Sequence, residues 1–252
     1  MLSTITRRAF LLSSAAVPAA CMLGRREAPS AGTTAVRPPA VGQSWSYAKR
    51  DMFTGTLVDH EIDEVRAVGD QVEIACRAAA DADADAPTSA SRTWVRKYFG
   101  HPNAGGPLPS EIQGPWGKVV VDPHWNQVQV YDSPLPLWPA QLVPGWVEHF
   151  STRYRTAERV DLMWQQTMRA EAWQTVQVPA GRFEALRFVN TIHFRCSDIF
   201  RKDCARHETI WMVPDVGRWV ARESGGTYYQ DDSVDDAQHV ENSYRWELSA
   251  WT

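Results

Sequence analysis

Apolar and polar residues alternate with a period of two in stretch after stretch of this chain. Val72, Ile74, Cys76 and Ala78 alternate with Gln71, Glu73, Ala75 and Arg77. Near the end, Tyr244, Trp246, Leu248 and Ala250 alternate with Arg245, Glu247 and Ser249. A helix would scatter such residues around its circumference, whereas a strand gathers them on one face. The pattern predicts half-buried antiparallel strands, one face in a core and one in water. Trp45 and Tyr47 begin an earlier strand, Thr54-Gly55 turns it into the next over 56–67, and Gly69-Asp70 makes another corner. In VPAGRFEALRF (178–188) Pro179 removes a ladder donor and Gly181 supplies turn dihedrals, so a register-setting reversal is expected. Leu186, Phe188, Ile192 and Phe194 then share one strand face. Residues 160–176 are ambiguous. Leu162, Trp164, Met168, Ala170, Ala172 and Val176 share strand parity, but Met168, Ala172 and Val176 also share a helix face.

At 252 residues, 44% hydrophobic and 22% charged, the chain suits one large all-β domain. Its twelve tryptophans are spread along the sequence. They are expected to fill a β core with their N–H groups bonded at its margin, the alternative being an indole-lined binding wall. Residues 1–20 hold two arginines and no acid, so the formal charge of −4 becomes −6 in a chain cleaved there. No Lys/Arg run remains, which argues against nucleic-acid binding, since phosphate contacts need concentrated positive charge.

Residues 6–21, TRRAFLLSSAAVPAAC, resemble the twin-arginine export signal: a twin arginine, Phe-Leu, then a short run of small apolar residues. That run is too short and too rich in Ser and Ala for a transmembrane helix. Cys21 after Ala19-Ala20 resembles the lipid-attachment cysteine of bacterial lipoproteins, although Pro18 stands where that motif prefers an aliphatic residue. Lipidation and ordinary cleavage are both open. The expected organisation is an export signal over 1–23, a flexible tether over 24–40 and a single β-rich domain over 41–252.

Two segments read as loops: His101–Gly117, and the proline-rich Ser133–Trp146, whose four prolines deny ladder donors. The second carries Leu135, Leu137, Trp138 and Trp146, too apolar for an idle loop. It is expected to lie across the open side of the sheet, as a fixed plug or as a lid, and these four are the candidate ligand-binding residues.

Candidate chemistry is sparse. His193, Cys196, Cys204 and His207 have the residue types of a zinc site, but strand residues three apart face opposite ways. A hairpin centred on Phe200 would instead set Cys196 opposite Cys204, within disulfide reach, although that register puts Arg206 and Glu208 on the apolar face. Cys76 reads as a buried thiol. Residues 80–87, ADADADAP, lack the glycine and glutamate of a calcium loop, and Asp231, Asp232, Asp235 and Asp236 read as a solvated acidic run. His101, His124 and His149 are scattered. No nucleophile elbow, zincin, P-loop or dinucleotide motif occurs, and no catalytic residue, resident metal or cofactor is expected.

At VPAGRF and TIWMVPDVGRWV the chain resembles exported proteobacterial β-rich proteins of unknown function: Val178, Pro179, Ala180, Gly181 and Phe183, then Trp211, Pro214, Val216 and Gly217. VGQSWSY (41–47) resembles their first strand. The resemblance implies one strongly curved antiparallel sheet, half-barrel or clam-like, similar to periplasmic lipoprotein carriers, with long Pro-rich loops and little helix. The leading expectation is a non-enzymatic envelope protein, periplasmic or membrane-anchored on the periplasmic side. It would bind an apolar small molecule or lipid, or an envelope protein partner, on that sheet. A structural or assembly lipoprotein is the alternative, a hydrolase or metal enzyme the remainder. Membrane contact is expected only through a lipid on Cys21. The mass of the mature protein should show loss of about the first 20 residues, and an acyl adduct on Cys21 would mark the lipoprotein form.

Overall fold

The computed structural model describes residues 34–78, 110–125, 127–230 and 237–252. The strands are β1 (Ser44–Asp51), β2 (Leu57–Val68), β3 (Val72–Ala78), β4 (Glu111–Gln113), β5 (Lys118–Asp122), β6 (Gln129–Pro136) and β7 (Val147–Arg155). They continue with β8 (Leu162–Val178), β9 (Gly181–Phe194), β10 (Arg201–Val213), β11 (Arg218–Gln230), β12 (Gln238–Val240) and β13 (Tyr244–Trp251). Consecutive strands from β1 to β11 pair antiparallel, and β13 sits between β11 and β1.

The sheet is therefore mainly β and antiparallel as expected, but it is not a half-barrel. Twelve strands close into a barrel, with β12 as a side branch on β11. Two stretches expected to be loops supply missing staves. Glu111–Gln113 is strand β4, and β6 extends through Pro134 to Pro136. Closure leaves the twelve-strand ring no free edge.

The proline-rich segment shows how. Leu137 donates its N–H to Gly117 O on the β5 side. By alternation, the donors missing at Pro134 and Pro136 belong to the β7 side. Pairing of β6 with β7 accordingly covers Val130↔Arg155 and Tyr131↔Tyr154 and then stops. Trp138 and Leu142, both buried, pack into the core beyond this point, as a plug would.

β8 is strand throughout, which resolves the ambiguity over 160–176; a bulge between Ala170 and Trp173 turns Ala172 outward. Val178 pairs with Gly181 across the Pro179-Ala180 corner, where Gly181 has φ 136°. Residues 34–40, read above as the end of a tether, run along the barrel: Arg37 donates its N–H to Pro214 O, and Thr34 O accepts from Leu142.

Register identifies the two faces. Trp164, Met168 and Ala170 pair with Phe194, Asn190 and Phe188, all buried and facing in. Facing out on β7 and β8 are Arg153, Met163, Gln165 and Arg169, and Glu171 binds both Arg169 (2.7 Å) and Arg187 of β9. Transmembrane barrels present an apolar band outward. Here that side of β7–β9 carries charged side chains.

Several tryptophans behave as expected: Trp45 Nε1 donates to Val216 O at 2.9 Å and Trp125 Nε1 to Asp122 Oδ2 at 2.9 Å. Gly117, at φ +88°, lets Trp138 approach; a Cβ there would sit 2.6 Å from Trp138 Nε1. Gly117→Ala should cost about 2–4 kcal/mol, from the left-handed backbone and the clash together. Urea unfolding with an unchanged m value would show it as a lower midpoint.

Candidate functional site: a charged cluster inside the barrel

Inward-facing positions are not all apolar. Asp63 on β2 pairs directly with Cys76 on β3, and Glu61 lies two residues away on the same face. β4 contributes Glu111, opposite Ile74, and β5 ends on Asp122. Across the barrel, Glu208 on β10 faces Asn190 and Ser224. The result is a group of buried carboxylates, and the fold meets each with a cation or a donor.

The sequence DPHW (122–125) builds the centre. The Asp122 carboxylate accepts three hydrogen bonds: from His124 N at 2.9 Å, His124 Nδ1 at 2.9 Å and Trp125 Nε1 at 2.9 Å. An aspartate that captures the backbone two residues on closes a turn. This turn folds the His124 and Trp125 side chains against the interior. With Nδ1 held by Asp122, His124 Nε2 faces Glu61 Oε1 at 3.4 Å and Cys76 Sγ at 3.6 Å.

Arg218 is the principal counter-charge, fully buried. Its Nη1 and Nη2 donate to Glu111 Oε1 and Oε2 at 3.2 and 2.8 Å, and Nη2 lies 2.9 Å from Asp63 Oδ2. The guanidinium stacks over Trp219 at 4.0 Å and stands 5.4 Å from Trp45. The contact with Asp63 is an ion pair without hydrogen-bond alignment, and neither Asp63 oxygen has a hydrogen-bond partner. A second unit joins Glu208 to Arg222 at 2.6 Å, Ser224 Oγ at 3.1 Å and Asn190 Nδ2 at 3.3 Å.

These contacts set the charge states. Burial raises the Asp63 carboxyl above its usual range, and Arg218 offsets only part of that. Burial also opposes ionisation of Glu61, but the charge and hydrogen bond of His124 hold it down. Asp122 is brought to about 2, because hydrogen bonds from His124 outweigh its burial. Burial alone would strip the proton from His124; Cys76, Glu61 and Asp122 raise its pKa well above the ordinary value. The Cys76 thiol is pushed up by burial.

Two voids flank the cluster, with volumes of about 20 and 30 Å³. A cavity needs roughly 10–15 Å³ of such volume to take one water, so each has room for water. Glu61, Arg206, Glu208 and Arg222 border the larger void, while Leu135, Leu137 and Trp164 border the smaller, together with Asp122 and Glu208.

The four candidate ligand residues do not form one wall. Leu135 packs with Tyr131 and Trp164, Trp138 packs in the other core cluster, Trp146 lies against Phe188, and half-buried Leu137 touches both clusters. Cys21 lies outside the described residues, as do residues 80–87, His101 and 231–236.

The symmetric hairpin register expected to set Cys196 opposite Cys204 is corrected. Cys204 pairs with Phe194, two residues from the expected register, and all three described cysteines are free thiols. The reason is the charge that the symmetric register would have stranded: the shift sets Glu208 beside Asn190, where its carboxylate is bonded. The two thiols remain hydrogen-bond neighbours, an arrangement that lowers the half-buried Cys196 to about 7 and raises Cys204. His193 and His207 are exposed on the outward side, away from buried Cys204. His149 is also exposed, with Nδ1 2.9 Å from Thr167 Oγ1.

Sequence reasoning passed over Glu61, Asp63, Glu111, Asp122, Arg218 and Arg222, and treated His124 as scattered. One signal was present. Asp59, Glu61 and Asp63 share a parity with Val65, so three acids stand on the face that carries an apolar residue inward.

No protein-family model matches this chain, and no curated protein matches it. Among solved structures, a lipoprotein candidate from Parabacteroides distasonis is similar in fold, with TM-score 0.42 at 10% identity, covering 87% of this chain and 98% of its own. An exported-protein candidate with a YmcC-like fold from Bacteroides fragilis gives TM-score 0.40 at 11% identity, covering 86% and 98%. Neither likeness bears on chemistry.

Because the folded Asp63 carboxyl is raised, its protonated form contributes stability that is full below the unfolded value of 3.8 and lost as pH rises through the raised value. Asp63→Asn should therefore stabilise the barrel by about 1–3 kcal/mol at neutral pH, and the gain should vanish as pH falls toward 4. Denaturant midpoints of both proteins across that range provide the check.

Proposed function

We propose that this chain is an exported cell-envelope protein that acts through its surface on a protein partner, without enzymatic turnover. The observation that carries the reading is the filled interior. Indoles, phenols and bonded charges occupy the barrel and leave voids of about 20 and 30 Å³. An acyl chain held by Leu135, Leu137, Trp138 and Trp146 would require packed side chains to leave the core, at about 2–5 kcal/mol each. The export-type N-terminus and the charged outward faces of β7–β9 support an envelope location in water, with a lipid on Cys21 as the route to a membrane.

In-cell crosslinking followed by native mass spectrometry tests this. The expected result is one reproducible protein partner, with crosslinks on outward-facing residues, and a native mass without a non-covalent lipid. A stoichiometric lipid that departs on denaturation would overturn it in favour of a carrier.

A further inference from the structure

One cluster is not needed for a surface-acting protein and is poorly explained as packing. We propose that Asp63, Cys76 and His124 form a buried zinc(II) site inside the barrel. One carboxylate oxygen, the sulfur and one ring nitrogen from these residues all lie within 4.8 Å of one another. Cys76 Sγ is 3.6 Å from His124 Nε2. For tetrahedral zinc, with Zn–S of about 2.3 Å and Zn–N of about 2.0–2.1 Å, the sulfur–nitrogen edge is about 3.5–3.6 Å.

Three further features favour a ligand over an idle polar cluster. First, Asp63 is fully buried and neither oxygen has a hydrogen bond; Oδ2 has the Arg218 ion pair at 2.9 Å, and Oδ1 has no hydrogen-bond donor, which is uncommon for a buried carboxylate. Second, His124 is oriented as a metal ligand would be. Its Nδ1–H is donated to Asp122 at 2.9 Å, and the hydrogen bonds from Trp125 Nε1 and His124 N fix Asp122 in turn, so Nε2 points at the sulfur. A carboxylate on the far nitrogen sets the tautomer and ring plane of metal-bound histidines. Third, two ligands come from paired strands: Asp63 and Cys76 are direct partners on β2 and β3, on one face of a rigid sheet.

The fourth position faces Glu61, whose Oε1 lies 3.4 Å from His124 Nε2, and the water-sized void beside it. Arg218 Nη2 lies 2.9 Å from Asp63 Oδ2, which leaves Oδ1 as the oxygen free to bind a metal. Glu61, Asp63, Glu111 and Asp122 surround the site, with Arg218, Arg222 and Lys49 as the facing cations. The donor set of one thiolate, one imidazole and one carboxylate suits zinc and disfavours magnesium or calcium, which take oxygen ligands. On binding, Zn–S, Zn–N and Zn–O bonds form, the protons on Cys76 Sγ and His124 Nε2 pass to solvent, and no redox change occurs.

The test uses the full mature chain, stripped with a chelator and titrated with cobalt(II), a zinc surrogate with a visible spectrum. The expected result is one cobalt per chain, with a sulfur-to-cobalt charge-transfer band that zinc(II) abolishes. Cys76→Ser should remove the band, Cys196→Ser should retain it, and Asp122→Asn should weaken zinc binding about 10–100-fold. Near-UV circular dichroism confirms that each variant is folded. Should Cys76→Ser not fold, alkylation protection decides: bound zinc must slow modification of Cys76 in the unsubstituted chain. Folded protein that takes up no cobalt, a band that survives Cys76→Ser, or no protection of Cys76 by zinc would overturn the proposal.

Discussion

The barrel interior depends on one guanidinium. Arg218, at the start of β11, reaches Asp63 on β2 and Glu111 on β4, joining elements far apart in the chain. Buried ion pairs of this kind are weak sources of net stability, because desolvation consumes most of their attraction. Removing Arg218 is another matter, since Asp63 and Glu111 would be left as uncompensated charges in a low-dielectric space. The network therefore acts as a register device. It makes any arrangement that separates β11 from β2 and β4 expensive.

Around that pairing the rest of the interior is consistent. Trp219 and Trp45 stack on the guanidinium, and the hydroxyl of Tyr47 bonds to Trp219 O at 3.0 Å. The DPHW turn supplies a second centre, from which His124 is placed among three carboxylates and a thiol. Glu208 supplies a third, and its need for Asn190, Ser224 and Arg222 fixes how β10 lies between β9 and β11. A barrel this wide has too much interior for aliphatic side chains alone. Among the described residues, indoles and paired charges occupy it, with voids of about 20 and 30 Å³ beside the charged cluster.

Part of this was legible from local sequence. Alternation at 72–78 and 244–250 marks β3 and β13, and Pro179 and Gly181 mark the reversal between β8 and β9. Apolar parity through Leu186, Phe188, Ile192 and Phe194 marks the inward face of β9. The charged cluster was harder to see because period-two reasoning assigns charge to the solvent face. Glu61, Asp63 and Glu208 violate that assignment, and nothing local reveals that Arg218, Arg222 or His124 will meet them. The proline-rich stretch misled in a related way. Pro134 and Pro136 lie in a strand because their missing donors fall on the side where β7 departs.

What the sequence alone determined was the mainly β, antiparallel class of the fold and local features such as β3, β13 and the reversal at Pro179-Gly181. Each of these is decided by neighbours within a few residues: side-chain alternation, a proline without a donor, a glycine with a free φ. Closure into a barrel, the two-residue shift that pairs Cys204 with Phe194, and the meeting of Asp63, Cys76 and His124 were decided only by the tertiary structure. Strand pairing across a closed ring is a property of distant partners, and the charges that select among registers interact only once the ring has formed.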